Sequence, residues 1–304
     1  MSLLPPGFRL GHATDLEART GCTVILCPPQ TRGSCEIRGS SPGSRELALL
    51  APERSMQEVH ALVLTGGSAF GLATGDAVMR WLHKKGIGYQ TPWQRVPIVP
   101  AAVVFDLNVG RSDAFPTEAM AVSACESASS DCDERGSVGA GTGTTVGKWL
   151  GIERAMTGGF GAAQRQVDEL RMTALAVVNA VGDIIDAHGT VLAGARGSER
   201  SFAADETTSR TLVRKAILGQ TNTTLTTVLS NGAFTKLELF KIAQRMHDGM
   251  SRAVIPCHTS FDGDVTFALS SGVVATPLDD AAELAAELTA EAIRDAVRGS
   301  RPLV

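Results

Sequence analysis

The stretch Gly219-Gln220-Thr221-Asn222-Thr223-Thr224-Leu225-Thr226-Thr227-Val228-Leu229-Ser230 sets a dense run of threonines among a few apolar residues. β-Branched side chains lose little by being extended and crowd a helical turn, so the run reads as a strand, ended by Asn231-Gly232. It is a strand lined with hydroxyls. An ordinary half-buried strand would carry the same residues. The sharper reading makes Thr223 a latent nucleophile, freed when the chain is cut between Asn222 and Thr223.

Downstream, Thr235-Lys236-Leu237-Glu238 is a capping box opening a helix through Leu239, Phe240, Ala243, Met246 and Met250. Asp262-Gly263-Asp264 turns into the strand Val265 to Ser270, and residues 280–298 form an amphipathic helix through Leu284, Leu288, Ile293 and Val297. Upstream, Met172 to Val178 and Val181 to Asp186 read as two β runs, with Asn179-Ala180 at the junction. Residues 194–210 are polar and without hydrophobic period, and read as a surface linker or mobile loop. Such a segment before Thr223 is what a cleavable precursor would tolerate.

Nearer the start, Cys22 to Leu26 is β-like, residues 30–55 read as a loop excursion, and Ala61 to Leu64 is a strand. That strand feeds Gly66-Gly67-Ser68 and a helix through Val78 and Leu82. Amides at such a helix start can face an anion, which makes Ser68 a candidate site wall. Gly-x-Ser-x-Gly fails there because Phe70 occupies the last glycine position, and no Gly-x-Gly-x-x-Gly is present. Residues 96–107 read as an apolar strand entered through prolines, and Glu118 to Cys125 as a helix. The loop Gly136 to Lys148 is not a phosphate cradle, since Thr142 replaces the first Walker glycine and Trp149 follows Lys148.

Strands and helices interleave over all 304 residues with no break in composition, which favours one layered α/β domain, residues 1–304. Hydrophobic residues make up 43 % and the net charge is only -4, which argues against a broad basic face for nucleic acid. No apolar run is long enough for a membrane span and no signal peptide is visible, so a cytoplasmic protein is expected. The six cysteines show no Cys-x-x-Cys pair and read as reduced.

The blocks Leu64-Thr65-Gly66-Gly67-Ser68-Ala69-Phe70-Gly71-Leu72, Gly139-Ala140-Gly141-Thr142-Gly143, Asn222-Thr223-Thr224 and Pro256-x-His258-Thr259-x-x-Asp262-Gly263-Asp264 together resemble the self-cleaving L-aminopeptidase/D-esterase family. The likeness is strongest to the branch that includes nylon-oligomer (6-aminohexanoate) hydrolase. It implies a four-layer αββα sandwich, superficially like N-terminal nucleophile hydrolases, and assembly into tetramers or larger homo-oligomers. It also implies cleavage into residues 1–222 and 223–304, with Thr223 as nucleophile and Lys148 as active-site lysine. Asn179 falls at the position of oxyanion support, and Asp262 and Asp264 at the acidic pair that orients the nucleophile. Phe105 stands where related members carry an aromatic hydroxyl, which removes one hydrogen bond to substrate or oxyanion.

The chemistry fits these residue types. A threonine hydroxyl can attack the preceding carbonyl, and the α-amine then freed, with a reference pKa of about 8, can serve as base for the same hydroxyl. No cofactor and no metal are implied. His258 reads as a supporting or structural residue and His247 as a helix-surface histidine. Lys148, Asn179 and the aspartates could equally be a solvated lysine, a turn asparagine and turn or helix-capping carboxylates. The resulting expectation is a hydrolase of short peptides, small amides or esters. Alternatives are an acyl-transferase of the ornithine acetyltransferase type and an uncleaved, non-catalytic relative.

Overall fold

The threonine run forms the strand Thr223–Gly232, buried along its whole length, at the centre of a five-stranded sheet. A computed structural model describes residues 2–198, 201–206 and 222–303. Residues 219–221 at the head of the run, and 199–200 and 207–210 of the polar stretch, lie outside the described residues. The sheet runs in the order Gly159–Val167, Leu170–Asn179, Thr223–Gly232, Val265–Val274, Arg32–Ile37. All of its pairs are antiparallel except that of Thr223–Gly232 with Val265–Val274. A second five-stranded sheet contains, in order, Arg9–Asp15, Thr20–Leu26, Ala61–Thr65, Ala101–Val103 and Ser44–Arg45.

Successive side chains of a strand point to opposite faces, and here both faces are covered. Leu175, Val177, Leu225, Leu229 and Phe267 pack against Ile25, Leu62 and Leu64 of the other sheet. Ala174, Ala176, Val178, Val228 and Ala268 pack beneath the helices Lys236–Ser251 and Leu278–Asp295. On the outer face of the other sheet, Val24, Ala61 and Val63 meet the helices Ala73–Lys84 and Glu118–Ser127. Three apolar cores therefore separate four layers, giving the αββα sandwich. By the same alternation, Asn179 and Thr223 lie on the face turned toward the other sheet.

Local signals placed most elements well. The capping box is present at Thr235 and Glu238. Three readings needed correction. Residues 30–55 contain the edge strand Arg32–Ile37 rather than loop alone, paired from Arg32 opposite Ser270 to Ile37 opposite Val265. Its sequence has little apolar content, and its glycine is set by packing, since a Cβ on Gly33 would sit 2.6 and 2.9 Å from the side chains of Leu269 and Val59. Of the apolar strand expected over residues 96–107, the sheet takes in only Ala101–Val103, while Val96 ends the two-residue strand Arg95–Val96 that pairs with Tyr89–Gln90. Its prolines at 97 and 100 supply no N–H for a ladder. In the described part of the polar stretch, Ala195 and Ala203 are buried against Trp149, so this segment is docked on the body rather than a free linker.

Contact between the helices Lys236–Ser251 and Leu278–Asp295 depends on Gly249, where a Cβ would lie 2.1 Å from the Ala286 carbonyl oxygen. Helix propensity alone would make Gly249→Ala stabilising by about 1 kcal/mol. Overpacking against backbone opposes it with about 1–3 kcal/mol, so a net loss of stability is expected. A thermal melt checks the sign: the variant should melt below the parent, and an equal or higher Tm would show that the helices separate freely.

Candidate active site

Three strand ends meet around Thr223. Asn179, the last residue of Leu170–Asn179, is the direct antiparallel partner of Thr223. Asp264 immediately precedes Val265–Val274, and Asn222 and Asp262 form a parallel bridge at the head of that pairing. The bridge sets the bond between residues 222 and 223 in a fixed frame. The Gly263 N–H donates to the Asn222 carbonyl at 2.8 Å, and Thr223 Oγ1 donates to the same oxygen at 2.5 Å. The Thr224 N–H donates to Asp264 Oδ1 at 2.7 Å. Asn222 and Thr223 are 4 % and 5 % exposed, so in the continuous chain the hydroxyl is closed off from solvent.

The turn can approach this closely because residue 263 has no side chain. A Cβ there would stand 2.6 Å from Thr223 Oγ1 and 2.6 Å from the Ser41 carbonyl oxygen. Sequence reasoning overlooked Gly263. Its signal was the glycine between two acidic residues, which reads as an ordinary turn until the backbone amide is seen against Asn222.

Lys148 reaches the same point from another loop. Gly147 adopts the left-handed conformation, with φ of 70°, and the Lys148 N–H is held by the Val181 carbonyl at 2.8 Å. Trp149 Nε1 anchors the loop to Asp183 Oδ1 at 2.8 Å. Lys148 Nζ then donates to Asn179 Oδ1 at 2.7 Å and to the Asn179 carbonyl at 3.1 Å. Asn179 Oδ1 also accepts from the Thr145 N–H at 3.0 Å, while its Nδ2 donates to the Phe105 carbonyl at 3.0 Å. Phe105 thus contributes backbone to the site. Asn179 is a strand-end residue at the centre of a network, and Lys148 is buried rather than solvated.

Burial dominates the electrostatics. It lowers the Lys148 ammonium to about 7, against the opposing pull of Asp262 and Asp264. Burial, then the neighbouring Asp264, raises Asp262 to about 6, although the N–H and hydroxyl of Thr259 both donate to its Oδ2 and favour the anion.

Asp264 has a second partner. Its Oδ2 lies 2.8 Å from His258 Nδ1. This agrees with a supporting place for His258. His247 is a correction: it is buried, with Nε2 3.2 Å from the Glu36 carbonyl and its ring 4.7 Å from that of His258. It follows Ala243 by one helical turn and so shares the core face, and burial pushes it down to about 3. Ser68 lies in the loop beside Phe105, with its N–H on the Val104 carbonyl at 3.0 Å. Asp106 braces that loop by accepting from the Gly67 N–H and Thr20 Oγ1, both at 2.7 Å. Among the described residues no hydrogen bond joins Ser68 to Thr223.

The Lys148 shift has a thermodynamic sign. A lysine ordinarily at about 10.4 but held lower in the fold leaves the unfolded chain binding more protons between the two values, so its destabilising effect is full below about 7 and fades above it. In a Thr223→Ala background, where no new amine arises, Lys148→Met should gain Tm relative to its parent, and that gain should shrink from about pH 7 toward about pH 10. A difference that is flat or grows with pH in paired melts would contradict the buried, depressed lysine.

With this geometry in view, the likeness to other proteins is extensive. The sequence model described as Peptidase family S58 matches residues 6–303. An uncharacterized aminopeptidase of Mycobacterium tuberculosis is 38 % identical over 290 residues, covering 89 % of this chain and 81 % of that protein. A 6-aminohexanoate-oligomer endohydrolase of Agromyces is 30 % identical over 276 residues, covering 90 % and 75 %. Among solved structures, the L-aminopeptidase D-Ala-esterase/amidase of Ochrobactrum anthropi superposes with a TM-score of 0.74 at 17 % identity, covering 97 % of this chain and 85 % of that one. A Burkholderia β-aminopeptidase gives 0.71 at 18 % identity, covering 97 % and 88 %. These two share the fold. From the family match and the extent of the sequence identity, this chain belongs to peptidase family S58, the L-aminopeptidase/D-esterase family, in the branch that includes the nylon-oligomer hydrolases.

Proposed function

We propose that the chain cuts itself between Asn222 and Thr223 and then acts as a hydrolase of amide bonds in short peptides or related small amides, with Thr223 as nucleophile. The observation that carries this reading is the Asn222 carbonyl oxygen, held by the Gly263 N–H at 2.8 Å with the Thr223 hydroxyl 2.5 Å away. Thr223 Oγ attacks the Asn222 carbonyl carbon; the C–N bond breaks, a C–O ester forms, and the hydroxyl proton passes to the Thr223 nitrogen. Water hydrolyses the ester, leaving a carboxylate on Asn222 and a free amine on Thr223. Gly263 N–H faces the oxygen on which charge develops, and a preorganised backbone donor is suited to that task.

Substrate then takes the place of Asn222. Its carbonyl oxygen occupies the seat beside Gly263 N–H; Thr223 Oγ bonds to the carbonyl carbon as the Thr223 amine accepts the hydroxyl proton, the amide C–N bond breaks, and the leaving amine takes that proton. Water then hydrolyses the ester on Thr223, releasing the acid and restoring the hydroxyl. Lys148, bonded to Asn179 and lowered to about 7, stabilises the alkoxide and can relay the proton. Asn179 holds Lys148 in place through Oδ1 and, by the family resemblance, stands at the position of oxyanion support. Asp264 secures the Thr224 N–H, and both aspartates favour the new ammonium. The amide-directed names of the Mycobacterium and Agromyces relatives support this substrate class.

Assay on a panel of short peptides and 6-aminohexanoate oligomers tests the reading. Thr223→Ala should be soluble and inactive, and Asn179→Ala should lose about two to three decades in kcat, the scale of a removed oxyanion donor. Full activity in Thr223→Ala would overturn the nucleophile. Including ornithine as an acceptor settles the reaction type, with free acid as the expected product and an acyl-ornithine product pointing to transfer instead.

A further inference from the structure

We infer that Cys257, His258 and Asp264 form a site for a zinc-class divalent cation that switches off Thr223; the regulatory half of this rests on the function proposed above. One ligand atom from each of the three lies within 4.8 Å of the others. They belong to one turn, residues 257–264, and combine a thiol, an imidazole and a carboxylate. That donor set suits zinc and similar soft-to-borderline cations, whereas magnesium and calcium take oxygen alone. Cys257 and His258 are only partly buried, so an ion can enter from solvent, and water completes the tetrahedral set.

His258 Nδ1–H donates to Asp264 Oδ2 across 2.8 Å. A metal replaces that proton. In the balanced step, Cys257 S–H loses H⁺ to solvent, Sγ, His258 Nδ1 and Asp264 Oδ2 bind the dication, and the imidazole proton moves from Nδ1 to Nε2. Metal binding thus leaves the ring neutral and releases one proton overall. The structure offers a place for the shifted proton: His258 Nε2 and His247 Nδ1 are both buried without a hydrogen-bond partner, on rings whose centroids are 4.7 Å apart. His247 donates from Nε2 to Glu36, which leaves its Nδ1 an acceptor.

The consequence for Thr223 is electrostatic. Asp264 is the carboxylate whose other oxygen holds the Thr224 N–H. Once it ligates a dication, its negative charge no longer favours an ammonium on Thr223, and a metal charge stands beside the nucleophile and Lys148. Hydrolysis should stop while the fold is retained.

The test uses the full chain stripped with a chelator and then freed of it. Cobalt(II) as a probe should give a near-ultraviolet thiolate-to-metal absorption band in the parent and in Thr223→Ala, so the binding readout is independent of cleavage and activity. Cys257→Ser should lose the band, keep the parent's hydrolytic activity in the absence of metal, and need at least ~10-fold more zinc for half-inhibition, the scale on which losing a metal-site interaction is felt. Cys257→Ala should behave in the same way, which guards against a folding defect in one variant. Absence of the band from the parent, or equal zinc sensitivity in parent and Cys257→Ser, would overturn the site. Zinc bound through Cys257 without inhibition would overturn its regulatory role.

Discussion

A backbone hydrogen bond at the head of two parallel strands, from Gly263 N–H to the Asn222 carbonyl, joins the sheet to the chemistry. Parallel pairing between Thr223–Gly232 and Val265–Val274 brings the start of each strand to the same edge, so the turn before one faces the peptide bond before the other. Antiparallel pairing on the other side brings the end of Leu170–Asn179 to that edge as well. Mixed pairing therefore places Asn179, Thr223 and Asp264 together without requiring a long catalytic loop. Burial of both sheet faces fixes the register, because a slip of one residue would turn Leu225 and Leu229 out of the core between the sheets.

This placement has an energetic consequence. Lys148, Asp262 and Asp264 are all nearly inaccessible, and removing charges from water is costly unless each finds partners. The partners are specific: two Asn179 oxygens for Lys148, Thr259 for Asp262, Thr224 and His258 for Asp264. Residual imbalance appears as a lysine that loses its proton easily and an aspartic acid that keeps its own longer than usual. Strain of this kind is tolerated because the three apolar cores around it supply ample burial.

Much of the layer order was legible in the sequence, since Thr223–Gly232, Ala61–Thr65, Lys236–Ser251 and Leu278–Asp295 each carry a strong local period or cap. Arg32–Ile37 was not, because an edge strand with glycine, serine and one arginine has no period to betray it and becomes a strand only by pairing with Val265–Val274. Thr223, Lys148, Asn179, Asp262 and Asp264 could be named through family resemblance, and the fold gathers them in one network. His247 shares the buried face of its helix with Ala243, a pattern open to reading, whereas its bond to the Glu36 carbonyl, more than two hundred residues earlier, is announced by no local signal. Gly263 was hidden for the opposite reason: its contribution is a backbone amide, which leaves no mark in side-chain chemistry.

Intact mass spectrometry of the purified chain, followed by N-terminal sequencing of the smaller piece, tests the central claim most directly. The expected result is two fragments that remain associated, residues 1–222 and 223–304, the second beginning at Thr223, with Thr223→Ala giving one uncut chain. An enzyme fully active on amides while wholly uncleaved, or a cut reproducibly located at another bond, would contradict it.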